Sequence, residues 1–389
     1  MHTQVNASAR WFSPILLAAA LGLLSGCSSL NPFATSAPKP AGLTAFQPAG
    51  EIRTAWQASI GGAGDYVFQP AVVGDSVYAA SHDGAVARFK DGQMVWKASV
   101  DKLSAGVGSD GKLAVVVSAG GDVIALDADS GALRWRALAG AEVLAPPAVT
   151  ASVVVARASD GRLMGFNADD GTRRWVYQRA MPTLSLRNAA GMRVDERGLI
   201  VGYPGGKVIA LNIDNGSLLW ELAVASPRGV TELERITDVV GTPVITRSEI
   251  CAVTYQGRAG CFDLKNGRAL WSREFSSSTG LARDTRFIFI TDDGDIVRAL
   301  DAFSGVEVWA QDAMKRRQLT RPVLAGGLVM VADLEGHVHA LDRESGQFVA
   351  RTRTDGSAIV ADPQPLGPSR FVVQTRGGGI FALEAQSTE

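Results

Sequence analysis

Few side chains in this sequence could do chemistry. Three cysteines and four histidines occur among 389 residues. Cys27 ends an apolar run, where a thiol could be modified. Cys251 and Cys261 flank a Gln256-Gly257 turn. A two-residue loop there would pair Cys251 with Phe262, so one step of register decides whether the two thiols face each other. A cross-strand disulfide and two reduced, buried thiols both fit. His337 and His339 are two apart on one strand and face the same way. They could begin a metal site, but no third ligand is suggested nearby, and a half-buried or surface pair fits as well. His82 sits beside a turn. Asp127, Asp263, Asp301 and Asp342 recur at one place in successive units, which marks them as turn residues rather than converging calcium ligands. No adjacent Cys pair, C-x-x-C-H, Gly-rich phosphate loop or G-x-S-x-G elbow occurs. These residues give no catalytic cluster, metal site or cofactor site, and the expectation is a protein that is not an enzyme.

The two ends of the chain have different jobs. Residues 1–26 open with one basic residue, Arg10, and continue through an apolar run from Trp11 to Leu24. That is the layout of a secretory signal, too short and too poorly flanked to span a membrane. Leu24-Ser25-Gly26-Cys27 resembles the cleavage box of bacterial lipoproteins. The resemblance implies that residues 1–26 are removed and that Cys27 carries acyl chains on its thiol and amine. Each buried acyl methylene contributes about 0.8 kcal/mol, so several chains make a lasting anchor. Ser28 after the Cys, in place of Asp, favours delivery to the outer membrane. Residues 27–50, rich in Ser, Ala and Pro, read as a lipidated flexible tether. Without Arg10 the chain keeps 37 of its 38 basic residues against 39 acids. Such a balance offers no basic face for nucleic acid.

Residues 51–389 repeat. SAGGDVIALDADSGALRW ends at Trp135, and matching segments end at Trp96, Trp175, Trp220, Trp271 and Trp309. A seventh, ADLEGHVHALDRESGQFVA, is read with Val349 where Trp is expected, and the eighth stops before that position. Each unit holds two alternating strands joined by a Gly turn (Gly84, Gly121, Gly161, Gly206, Gly257, Gly294, Gly336, Gly378), which favours positive φ. A second Gly turn and the Trp strand follow, and another short strand precedes the pair. Four strands at a period of roughly 42 residues predict an all-β, eight-bladed β-propeller of four-stranded antiparallel blades. Trp56 near the start completes the last blade, so the N-terminal strand closes the ring.

The pattern G-x-x-x-A-L-D-x-x-x-G-x-x-x-W resembles the repeats of quinoprotein dehydrogenase-type propellers. That likeness is specific to fold and not to function. Those enzymes are usually longer and bring a calcium site and often a disulfide between adjacent cysteines, which this sequence lacks. A quinone-dependent dehydrogenase is therefore the lesser reading.

Regular blades hide their apolar residues, so irregular connections are the candidates for binding. Residues 180–191 carry Leu184, Leu186 and Arg187, and residues 221–243 carry Arg235 and Asp238 within the longest spacing between Trp residues. Both connections join neighbouring blades on one face. They form either an interface with aliphatic anchors and charge, or a strand start with buried leucines beside a passive loop. Lipobox, tether, eight repeats, T-L-S-L-R and E-R-x-T-D-V together resemble the BamB family, the propeller lipoproteins of the outer-membrane β-barrel assembly machine, over the full length. The resemblance implies a non-catalytic scaffold at the outer membrane, facing the periplasm and held by its N-terminal lipid. It implies binding to the POTRA domains of the central barrel subunit through Leu184, Leu186, Arg187, Arg235 and Asp238. It also implies aid to unfolded outer-membrane proteins, which a blade edge could take up by strand addition. Family members often carry a second acid two residues after the Asp; here that position is Val240. Another envelope propeller with a different partner is the alternative.

Overall fold

Each repeat becomes one antiparallel sheet. The computed structural model describes residues 1–4, 39–187, 191–195 and 198–387, so Cys27 lies outside the described residues. Pro40–Glu389 forms one compact unit. Among the described residues there are eight four-stranded sheets, all in meander order. Blades one to seven span residues 71–99, 108–138, 148–177, 192–223, 239–275, 281–311 and 323–353. Blade eight takes three strands from 364–387 and its outer strand from the N-terminus. There Gly50–Ser59 pairs with Gly379–Ser387, from Gly50↔Ser387 to Ser59↔Gly379, and the ring closes as expected. First strands of neighbouring blades touch, which places them around the axis. In a four-stranded meander the chain enters and leaves a blade at the same face, so the connections between blades share one face of the ring.

Tryptophan and glycine join successive blades. The indole N–H of Trp96, Trp135, Trp175, Trp271 and Trp309 donates to a backbone carbonyl of the next blade, on Ala128, Ala168, Ile213, Ala302 and Arg343, at 2.7–3.0 Å. The ring then lies over the glycine of that blade's second turn. At Gly171, where φ is 73°, an added Cβ would stand 2.5 Å from the Trp135 ring. Backbone conformation and the indole thus both demand glycine. Gly171→Ala should cost about 3 kcal/mol, from left-handed strain plus overpacking. Gly140→Ala, also at positive φ (70°) but with nothing within 4 Å, should cost only the strain. Denaturant midpoints of the two variants check the difference.

The same turns absorb the recurring acids. Asp127 Oδ1 accepts from the Asp129 and Ser130 amides at 3.2 and 2.9 Å, and Asp263, Asp301 and Asp342 repeat the arrangement. Ser hydroxyls hold the Asp127, Asp301 and Asp342 carboxyls below the usual carboxylate range.

Three expectations need correction. In blade seven Ala340 pairs with Ala350, as Ala299 pairs with Trp309 in blade six, so the position that lacks Trp is Ala350 and not Val349. Val349, Ala350 and Ile52 of the closing strand belong to one core cluster there. Among the eight first-turn glycines, Gly257 and Gly294 lack positive φ. The left-handed conformation falls on Gln256 (46°) and Asp295 (60°), one residue to either side. Finally, part of the expected tether is docked. The Ala41 amide donates to the Lys315 carbonyl (3.0 Å) and the Ala49 amide to that of Val349 (2.9 Å), while Phe46 stacks on Phe348 with centroids 5.3 Å apart. Residues 41–49 therefore form a strap along blade seven, because two arginines supply the donors that an isolated Pro/Ala-rich stretch lacks. Arg317 donates to the Ala41 carbonyl (2.7 Å) and Arg351 to that of Thr44 (3.0 Å).

Candidate functional site

The two irregular connections meet through Asp238. Thr237 and Asp238 are buried just before the first strand of blade five, Val239–Ile245. One Asp238 carboxylate oxygen accepts the Leu186 amide at 2.6 Å, and the other accepts the Gly205 amide at 3.2 Å. Burial pushes the Asp238 carboxyl up; both amide bonds and the nearby Arg157 guanidinium oppose that shift. Asp238 thus ties residues 184–187 to blade four from beneath. It is 1% exposed in this chain, so the side chain that the sequence suggested for a partner contact stands under the segment and not on its surface. It positions the segment instead.

The tie divides the Leu-Ser-Leu-Arg segment into two kinds of residue. Leu186 is half-buried against the blade-five cluster that contains Val240, Cys251 and Trp271. Leu184 is 40% exposed, and Arg187 extends over the surface to Glu142, at 2.5 Å. The segment is not a strand start, since the first strand of blade four begins at Met192. A cavity of about 270 Å³ lies beneath it, lined by Glu142, Arg157, Met181, Leu186 and Arg187 among others. Val240, where relatives were expected to carry an acid, is 2% exposed in the core; an acid there would need another rotamer or a buried partner.

The longer connection presents a different surface. Thr231 and Glu234 form a reciprocal cap, with the Glu234 carboxylate accepting the Thr231 amide (3.0 Å) and the Thr231 hydroxyl accepting the Glu234 amide (3.2 Å). This holds one tight turn that exposes Val230 and Leu233. Arg235 is exposed beside Glu232, with 3.9 Å between charged groups. The structure joins Leu186 and Asp238 directly, whereas Arg235 stands on the exposed turn.

Cys251 and Cys261 are opposite one another in the register and are bonded, at 2.04 Å between sulfurs. The loop at Tyr255–Gly257 is one residue longer than a two-residue turn, and that resolves the register. Glu249 lies close enough to complete a group of three metal-capable side chains, but the disulfide occupies both sulfurs. Cys251→Ala/Cys261→Ala should lose about 2–3 kcal/mol, the chain-entropy value for so short a closed loop. Chemical denaturation checks it, together with thiol titration of the unfolded, unreduced protein, which should find neither thiol.

His337 and His339 face one way as expected, but toward Asp333 and Arg317 rather than a metal. His339 is buried and lies 2.9 Å from the Asp333 carboxylate. Sequence reasoning missed this cluster, because Arg317 lies in a connection without a repeat signature.

Comparison with known proteins agrees with the architecture and goes further. The family model described as outer membrane protein assembly factor BamB matches residues 82–311 and 293–389. The chain is 45% identical to the outer membrane protein assembly factor BamB of Bordetella pertussis, over 96% of this chain and 97% of that one. Among solved structures, BamB from Moraxella catarrhalis superposes with a TM-score of 0.80 at 28% identity, covering 86% of this chain and 100% of that one. Quinohemoprotein alcohol dehydrogenase from Comamonas testosteroni superposes at 0.69 but is 13% identical, covering 86% and 76% of the two chains, and this shows the fold alone. This chain belongs to the BamB family of outer-membrane protein assembly factors.

Proposed function

We propose that the ring is a non-catalytic scaffold of the outer-membrane β-barrel assembly machine. Acylated Cys27 anchors it to the outer membrane on the periplasmic side. Leu184 and Arg187, with the capped turn that carries Leu233 and Arg235, dock on the POTRA domains of the central barrel subunit. The observation that carries this reading is the tie between the two connections: buried Asp238 fixes Leu186 and so holds Leu184 and Arg187 outward. An exposed aliphatic group beside a guanidinium on a rigid base is what an interface anchor requires. A scaffold of this kind adds no chemical step. It raises the effective concentration of the parts it holds together.

Capture of the central barrel subunit by the mature protein tests the docking role. Leu184→Glu/Arg187→Glu alters two exposed side chains and should leave the circular dichroism spectrum and melting temperature unchanged. Capture should fall at least about tenfold, the loss of one or two interface anchors. Equal capture by the folded variant would move the interface elsewhere on the ring.

A further inference from the structure

The joint between blades four and five is built unlike its neighbours. At five other joints a buried Trp covers the glycine of the next blade's second turn and donates to a carbonyl of that turn. Trp220 holds the same place in its strand, since Ala210 pairs with Trp220 as Ala125 pairs with Trp135. The matching carbonyl is that of Leu264, and the matching glycine is Gly267, at φ 70°. Yet no described residue receives the Trp220 indole N–H. A Cβ added to Gly267 would meet no ring, only Leu222 Cδ1 at 3.7 Å.

Two residues of one strand have exchanged burial. In the outer strands of blades two, three, five and six the Trp is buried, and the residue two places on is half-buried or exposed. In Leu218–Ala223 it is Trp220 that is half-buried and Leu222 that is buried. Both side chains point to the same side of the strand, toward blade five. The place of Leu222 is held elsewhere by Ala98, Ala137, Tyr177, Arg273 and Gln311, so blade four alone offers a branched aliphatic group there. Leu222 packs with Ile250 and Phe262 of blade five. A cavity of about 260 Å³ remains in the wedge, lined by Trp220, Leu222, Leu264 and Gly267 among others. Bulk at these positions does not bar an indole, because Trp175 is seated on the Ile213 carbonyl with Tyr177 two places after it.

We infer that Trp220 and Leu222 form a two-position latch on the joint between blades four and five, unlatched in this structure. In the latched position the indole enters the cavity, covers Gly267 and donates to the Leu264 carbonyl, while Leu222 takes a rotamer facing solvent. Trp220 then gains burial and a hydrogen bond, and Leu222 gives up its contacts with Ile250 and Phe262. These terms oppose one another, so both states belong to the native ensemble. The latch is a property of the ring and does not rest on the docking reading. It does sit on the joint that the docking segment spans, where Leu186 leans on blade five and Asp238 holds the Gly205 amide of blade four.

Fluorine NMR of the whole mature protein labelled with 5-fluorotryptophan tests the latch, with Trp220→Phe assigning the Trp220 signal. In the native ring a soluble nitroxide should broaden that signal more than those of Trp96, Trp135, Trp175, Trp271 and Trp309. Relaxation dispersion should show it exchanging with a second state. Leu222→Ala installs the residue that blades one and two carry at Ala98 and Ala137, so the indole should move in and lose its extra broadening. Gly267→Ala places a methyl group where the seated ring would lie but leaves Leu222 its contact. Its backbone strain is common to both positions, so it should hold Trp220 out and abolish the exchange. Three results would overturn the proposal: no exchange in the native ring, a Trp220 signal as exposed in Leu222→Ala as in the native ring, or exchange that persists in Gly267→Ala.

Discussion

Replacing Asp238 by asparagine should detach the docking segment although the side chain keeps its size and stays buried. Both carboxylate oxygens are in use, one on the Leu186 amide and one on the Gly205 amide. Asparagine has a single acceptor oxygen, so its amide nitrogen must face one of two N–H donors. A buried N–H left without a partner costs about 1–3 kcal/mol. The segment can escape that cost by lifting into water, and Leu186 would then leave the blade-five cluster with it. The substitution also removes the negative charge near Arg157. Hydrogen exchange at Leu186 should accelerate by one to two orders of magnitude in Asp238→Asn. Capture of the central barrel subunit should fall as far as in Leu184→Glu/Arg187→Glu, with the melting temperature of the ring little changed. Slow exchange at Leu186 in this variant would show that Leu186 and its neighbours are held by packing alone.

The repeats were legible because one local device recurs. A glycine that must adopt positive φ, an acid that folds its own turn and a Trp that packs on the next blade leave marks at fixed spacing, at Asp127, Gly131 and Trp135 for example. Closure by the N-terminal strand followed from Trp56. One slip inside the repeats, Val349 for Ala350, came from a site where the indole is missing and nothing in the local pattern marks the position; the other, positive φ expected at Gly257 and Gly294, came from turns whose left-handed residue is the neighbouring Gln256 or Asp295. Irregular parts were less legible for a physical reason. Asp238 reads as a surface charge until the fold shows two amides converging on it from residues 52 and 33 positions away. The strap reads as a flexible linker because its donors, Arg317 and Arg351, lie some 276 and 307 positions on in the chain. Propensity cannot see such partners.

Arg317→Ala should produce the larger loss of global stability, about 3–5 kcal/mol, the usual result of stranding one member of a buried ion pair. Arg317 is 2% exposed and Asp333 is fully buried. The guanidinium donates to Asp333 (2.7 Å), to Glu335 and to the Ala41 carbonyl (2.7 Å). Lysine keeps the charge but lacks this planar fork, so Arg317→Lys should recover only part of the loss. Burial alone would raise the Asp333 carboxyl. Hydrogen bonds from His339, the His337 amide and Arg317 outweigh it and hold the group well below the usual carboxylate range. Its contribution is therefore present above the ordinary aspartate pKa and lost as pH falls through the folded value. Burial pushes the His339 imidazole down, with the Asp333 carboxylate opposing. Arg351 donates to Nδ1 at 3.0 Å, so Nε2 carries the proton toward Asp333 and the ring is neutral. A base of lowered pKa contributes fully above its unfolded value, near 6.5, and loses that contribution as pH falls below it. Melting temperature should thus drop between about pH 7.5 and about pH 5, mainly through His339. His339→Gln, able to donate to Asp333 and accept from Arg351 without titrating, should flatten that slope. The strap should respond in the same sense, because protonated Nδ1 no longer accepts from Arg351, which also holds Thr44 and lies 5.0 Å from both Phe46 and Phe348. Limited proteolysis within 41–49 should therefore quicken in acid for the native ring and stay level in His339→Gln.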